Sequence, residues 1–182
     1  MSLPTPLIPR QITPILDLPL VGGGTWNLAD QSPDNFTMVV IYRGFHCPIC
    51  SRYLGDLNNK AEEFAKLGVK IIVASSDIEE RAERAKKEWR LDKLDLAYGL
   101  GLEKAREWGL YISSSNGKTS AGVIEPDLFV EPGLFLIRPN QELYFAMVQT
   151  MPFARPAFSD ILSAVKYVLD KSYPGRGEVI DF

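Results

Sequence analysis

The chain has 182 residues, 46% of them hydrophobic and 24% charged, enough apolar material to bury a core in one domain of ordinary size. Its formal charge of −3 gives no general attraction for nucleic acid or an anionic lipid surface, and no stretch reaches the roughly 18 apolar residues a membrane span needs. Two cysteines are too few for a disulfide-stapled scaffold, and the proline-rich start does not read as a signal peptide, so the cytoplasm is the expected location.

Residues 1–14 are proline-rich and polar and are expected to form an N-terminal arm. "PILDLPLVGGGTWNL" sets two short apolar runs around Gly22, Gly23 and Gly24, the pattern of a small hairpin near a sheet edge. A phosphate-binding loop is the sharper reading of three glycines, but no GK[ST] follows them. "FTMVVIY", Phe36 to Tyr42, is a continuous apolar run rich in β-branched and aromatic residues and reads as a buried central strand. Cys50, Leu54, Leu57, Ala61 and Phe64 then recur at steps of four and three, one face of a helix that opens near Pro48 and ends at Gly68. Gly55 inside it is expected to mark tight packing or a close approach.

"VKIIVASSD", Val69 to Asp77, reads as the next buried strand, in parallel with the first after a helical crossover. Ser76 and Glu79 have the spacing of a capping box, and Ile78, Ala82, Ala85 and Trp89 make the stripe of a charged helix whose "RAERAKKEWR" run is a solvated face. A short apolar run "LDLAYGL" and a helical "LEKAREWGL" follow. "YISSSNGKTSAGVIEPD" is polar and reads as an exposed loop, while "GLFLIRPNQELYFAMVQ" reads as a strand, a Pro-Asn turn and a strand. Phe158, Ile161, Leu162, Val165, Val168 and Leu169 line a closing helix. The partition is an arm over 1–14, one domain over 15–172 and a tail over 173–182, with an α/β fold built on a mixed central sheet.

The stretch "GFHCPIC" holds both cysteines, Cys47 and Cys50, and the single histidine, His46. A Cys-x-x-Cys where a strand runs into a helix places the first thiol against unsatisfied backbone N–H groups and the positive end of the helix dipole, which stabilise a thiolate. Lowering a thiol pKa from about 8.5 to about 7 raises its thiolate fraction at neutral pH from roughly 3% to about half. Cys47 is therefore expected to be exposed and nucleophilic, and Cys50, one turn inside, to be buried and to resolve the mixed disulfide, with Pro48 stiffening the pair between them. Structural zinc is the rival reading, but it needs four ligands and these three side chains are all the Cys and His available. No metal and no cofactor are expected.

The chain resembles the thioredoxin-fold superfamily, and within it the peroxiredoxin-like alkyl hydroperoxide reductase and thiol-specific antioxidant family, through "FTMVVIYRGFHCPIC", "VKIIVASSD", "AYGLGLEKAREWGL" and "EPGLFLIRPNQELYFA". The resemblance implies a thioredoxin-like fold, a mixed central β-sheet flanked by helices, with an N-terminal β-hairpin extension of the peroxiredoxin type. It sets the family's Pro-x-x-x-Thr-x-x-Cys pattern on Arg43, Cys47 and Cys50, so that Cys50 takes the place of the peroxide-attacking cysteine, while the proline and the threonine of the pattern are Arg43 and Cys47. The arginine that the family carries before the "GLFLI"-type strand is Pro132 here. Thioredoxins and glutaredoxins have a cis-proline at that position, and on this resemblance Pro132 is expected to be cis and to expose the backbone of Glu131 to a substrate's extended chain.

Two activities follow. The first is thiol-disulfide exchange with Cys47 as nucleophile, Cys50 as resolving thiol and Pro132 shaping the groove. The second is hydroperoxide reduction with Cys50 peroxidatic and Cys47 resolving, and a redox-inert binding module is the third possibility. His46 could act on Cys47 as imidazolium or as base, or be a plain exposed loop residue. Arg43 could point its guanidinium at the thiols or be solvated or paired, and Arg155 in "PFARP" raises the same question. Phe45, Trp89 and Trp108 read as packing residues. The expected partners are a disulfide or hydroperoxide substrate and a thiol reductant such as a thioredoxin or glutathione system, with no nucleic acid and no membrane; the resemblance also implies a possible homodimer.

Overall fold

The computed structural model describes residues 3–181. Its centre is a five-stranded sheet built around β3 (Phe36–Ile41), all six residues of which are buried. β3 pairs in parallel with β4 (Val69–Ala74), which pairs in parallel with β5 (Asp95–Ala97). On its other side β3 pairs antiparallel with β8 (Gly133–Ile137), whose hairpin partner is β9 (Leu143–Val148). The order β5-β4-β3-β8-β9 is thus a mixed sheet.

Side chains of β3 alternate between two cores, as the two-residue period of a strand requires. Phe36, Met38 and Val40 face a cluster with α1 (Pro48–Lys66) and α4 (Phe158–Lys171), and Ala85 of α2 (Glu79–Glu88) joins it. Val39 and Ile41 face the opposite cluster with Ala105 of α3 (Leu102–Glu107), Trp108 and Leu110. Trp26 of the N-terminal hairpin, β1 (Asp17–Pro19) against β2 (Thr25–Asn27), completes that second core. The hairpin is stitched to β5 by the Val21 N–H to Leu96 carbonyl bond of 2.9 Å. The arm lies along the start of β9, where Arg10 N–H donates to the Leu143 carbonyl at 2.7 Å. Among the described residues no helix is long and apolar enough to cross a membrane.

In α1 the stripe Cys50, Leu54, Leu57, Ala61 and Phe64 is buried throughout, and the helix ends before Gly68 at φ 67°. Gly55 departs from expectation: a Cβ there would meet nothing within 4 Å, so neither packing nor a close approach calls for glycine. The capping box is also absent, because α2 has Ile78 as N-cap with no side-chain bond. The Ser76 hydroxyl instead accepts the Val130 N–H at 3.3 Å. The polar stretch read as loop contains β6 (Ile112–Ser114), paired antiparallel with β7 (Leu128–Val130). Its serines give no apolar pattern, and its strand character comes from backbone pairing alone.

The register decides where chemistry can gather. Ala74, Ile41, Gly133 and Val148 form one row across four strands. Because β3 and β4 leave this row at their C-terminal ends, β8 enters at its N-terminal end and β9 leaves at its C-terminal end, four connections meet there. They carry Arg43 to Cys47, Ser75 to Asp77, Glu131 with Pro132, and Gln149 to Arg155.

Candidate active site

The chain leaves β3 through Tyr42 and turns at Gly44, whose carbonyl accepts the Cys47 N–H at 3.1 Å. Cys47 then has the extended conformation of an N-cap (φ −94°, ψ 105°), and Pro48 takes the first turn, where a missing N–H leaves no partner unsatisfied. Cys47 Sγ accepts the Cys50 N–H at 3.3 Å, so the thiol fills the role that a serine or aspartate oxygen fills at an ordinary helix start. Both cysteines are free. Contrary to expectation, Cys47 is not exposed: it is 1% accessible and Cys50 0%, while Pro48 between them faces solvent.

The cation at these thiols is Arg155. Its Nη2 lies 3.1 Å from Cys50 Sγ and 3.8 Å from Cys47 Sγ, and its guanidinium carbon sits 5.0 Å over the Tyr53 ring. Nε and Nη1 are enclosed and have no partner among the described residues. Arg155 also lines a cavity of about 10 Å³, together with Tyr53, Pro132 and Gln149 among others, room for about one water-sized molecule.

The two identical side chains have opposite electrostatics. The Cys50 thiol donating to Cys47 lowers the Cys47 pKa to about 6 against the opposing effect of burial, helped by the Cys50 N–H and by the Arg155 and Arg43 guanidinium groups. Burial first, and then the hydrogen bond and charge of Cys47, push the Cys50 thiol up, with Arg155 offsetting part of the rise. The pair therefore carries one negative charge at neutral pH, held first by Cys47.

His46 is 0% exposed, with its ring 4.6 Å from that of Phe129 in an edge contact. Burial, with Arg43 nearby, lowers its pKa to about 4, and neither ring nitrogen has a partner among the described residues. It is thus neutral, neither an imidazolium for the thiolate nor an exposed loop residue. Arg43 does not reach the sulfurs either. Its Nε lies 3.2 Å from Glu131 Oε2 and its Nη2 3.6 Å from Glu125 Oε1, over the Phe129 ring at 4.7 Å. Two buried carboxylates fix it behind the site, and it acts on Cys47 only through its charge.

The bond before Pro132 is trans, as no cis peptide occurs among the described residues. Nor is the backbone beside it free for a substrate chain: Glu131 N–H donates to the Tyr111 carbonyl at 2.8 Å, and the Pro132 carbonyl accepts the Gln149 N–H at 3.1 Å. Phe45 packs as expected, stacked 5.8 Å from Trp89, and Trp108 is buried against Phe135 at 5.0 Å. Among the described residues no group of three His, Cys, Asp or Glu side chains is placed to hold a metal ion.

The sequence model described as the AhpC/TSA family matches residues 9–146, three quarters of the chain. The chain belongs to the AhpC/TSA family. Membership places it among the thiol-based oxidoreductases. No curated protein matches the sequence. Solved structures agree on the fold. A cysteine-to-serine mutant of peroxiredoxin 6 from Arenicola marina superposes with a TM-score of 0.74 at 16% identity, over 91% of this chain and 75% of that one. The peroxidoxin BcpB of Mycobacterium tuberculosis gives 0.69 at 16% identity over 89% and 98%. AhpC of the same organism gives 0.71 at 14% over 92% and 96%. This AhpC/TSA chain has Pro132 where the resemblance calls for arginine, and the guanidinium arrives instead from the loop between β9 and α4. In the sequence Arg155 stands only as an open question beside Arg43. The available signal was an arginine held between Pro152 and Pro156 just after the last strand.

Proposed function

We propose that the protein is a thiol peroxidase that reduces hydroperoxides through the Cys47/Cys50 pair. The observation that carries this reading is Arg155, a half-buried cation on both sulfurs that lines a cavity of molecular-water size and whose two further N–H donors have no partner among the described residues. Those donors suit the oxygens of a small peroxide, and they stabilise negative charge as the O–O bond breaks. A disulfide-bearing protein would need free backbone at Pro132, where the Glu131 N–H and the Pro132 carbonyl are already hydrogen-bonded within the fold.

The Cys47 thiolate attacks the terminal peroxide oxygen. An S–O bond forms, the O–O bond breaks, and the departing alkoxide or hydroxide takes the Cys50 thiol proton. The products are a Cys47 sulfenic acid, an alcohol or water, and a Cys50 thiolate, which attacks the Cys47 sulfur and expels hydroxide to leave a disulfide. An external thiol of the thioredoxin or glutathione type restores the dithiol with two electrons and two protons. We place this reaction in the cytoplasm, where such thiols are kept reduced.

Thiol-disulfide exchange remains a second reading, favoured by the lowered Cys47 pKa at a helix start. Sulfenic acid trapping separates the roles. Cys50→Ser treated with hydrogen peroxide and a cyclic 1,3-dione should carry the adduct on Cys47. An adduct formed only on Cys50, in Cys47→Ser, would reverse the assignment, and none in either variant would remove the peroxidase reading.

A further inference from the structure

We propose that Asp77, in the loop after β4, is a positioning residue that sets Cys47 as the N-cap of α1 by holding the Gly44–Phe45 turn. The Asp77 side chain is 0% exposed, and a carboxylate so enclosed needs a specific partner. Its Oδ2 accepts the Phe45 N–H at 2.6 Å. Its Oδ1 has no hydrogen-bond partner among the described residues and lies 3.9 Å from Arg81 Nη1.

A second feature points the same way. Gly44 has φ 138°, a backbone region that side chains rarely enter, and a Cβ there would stand 2.7 Å from Asp77 Oδ1. Glycine is thus required both by the turn and by the carboxylate under it. With the Phe45 amide held, the Gly44 carbonyl is turned to accept the Cys47 N–H at 3.1 Å, and the Cys47 sulfur to accept the Cys50 N–H at 3.3 Å. Asp77 does not serve its own helix, since α2 begins at an Ile78 N-cap without a side-chain bond. Arg81, from the first turn of α2, also donates from Nη2 to the Ile124 carbonyl at 2.5 Å, tying the 115–127 segment to the same point.

The inference rests on Cys47 holding the thiolate and not on the nature of the oxidant. The experiment is a thiolate absorbance titration of the full chain with both cysteines present. Asp77→Ala removes the acceptor, and the lower of the two titration steps should rise by about one pH unit, a tenfold change in the acid constant. Asp77→Asn keeps an oxygen for the Phe45 N–H and should leave that step near its original position. A lower step unmoved in Asp77→Ala, or moved equally in Asp77→Asn, would overturn the hydrogen-bond clamp. Should Asp77→Ala fail to fold, amide exchange in the unsubstituted protein decides: the Phe45 N–H should exchange as slowly as those of β3, and exchange at open-loop rates overturns the proposal. A lower step of the unsubstituted protein within the ordinary thiol range would overturn the charge assignment to Cys47, while Phe45 exchange still measures the clamp separately.

Discussion

Arg155 reaches Cys50 Sγ at 3.1 Å from a position 105 residues further along the chain. The contact exists because β9 ends in the same row as β3, so the loop leaving β9 crosses over the start of α1. It puts a half-buried positive charge where the dithiol holds its single negative one. Each stabilises the other, since among the described residues neither has another charged partner so close.

Replacing Arg155 with methionine keeps the bulk and removes the charge. The lower thiol titration should move up, and the rate of oxidation by hydrogen peroxide should fall about ten- to a hundredfold, the scale of losing a charge-assisted donor in an enclosed site. Arg155→Lys should recover part of both, as a point charge without the forked donors. Ultraviolet titration and stopped-flow fluorescence measure the two effects.

The dithiol also makes stability depend on pH in a characteristic way. Cys47 has its folded pKa lowered to about 6, whereas Cys50 has its pKa raised; unfolded thiols titrate near about 8.5. From about pH 6 to the unfolded value, the unfolded chain binds one proton more than the folded one, so the pair's contribution rises with pH. Above that value the folded protein retains the Cys50 proton longer and the contribution falls. Subtracting the denaturation profile of the Cys47→Ser/Cys50→Ser double variant from that of the reduced protein should give a maximum near the unfolded thiol pKa.

His46 should be silent between pH 5 and 8. With its folded pKa lowered to about 4 against about 6.5 unfolded, it contributes stability above pH 6.5 that is progressively lost as pH falls to about 4. The titration of its ring proton resonance by NMR checks this. His46→Phe should leave the position of the lower thiol titration unchanged, and a midpoint of the His46 resonance near neutrality would contradict the account.

Gly55 lies in the middle of α1 with open space where a Cβ would be. Gly55→Ala should stabilise the protein by about 1 kcal/mol through helix propensity and a less flexible unfolded chain. Denaturant unfolding of the reduced protein measures it, and thiol reactivity should not change.

Much of this fold was legible because its signals are local. The stripe from Cys50 to Phe64, the apolar run of β3 and the Pro-Asn turn before β9 each carry their own periodicity. β6 was not legible, since three residues Ile112 to Ser114 become a strand only by pairing with β7. At the site, the Cys-x-x-Cys and its helix start could be read directly, but what covers it could not. Cys47 belongs to a buried cluster assembled from β3, α1, β8 and α4, elements far apart in the sequence. Arg43 is drawn off by Glu125 and Glu131, whose proximity depends on β7 and β8. Arg155 itself follows the last strand, at a sequence distance where no spacing rule operates.

The central claim is that this dithiol is organised by Arg155 to reduce peroxides. Stopped-flow oxidation of the reduced protein by hydrogen peroxide, beside reaction with a small disulfide at equal concentration, tests it most directly. The account predicts a second-order peroxide rate at least about a hundredfold above that of a free thiol, scaled by thiolate fraction, and a marked loss in Arg155→Met. A peroxide rate no greater than a free thiol's, together with fast reaction at the disulfide, would contradict it.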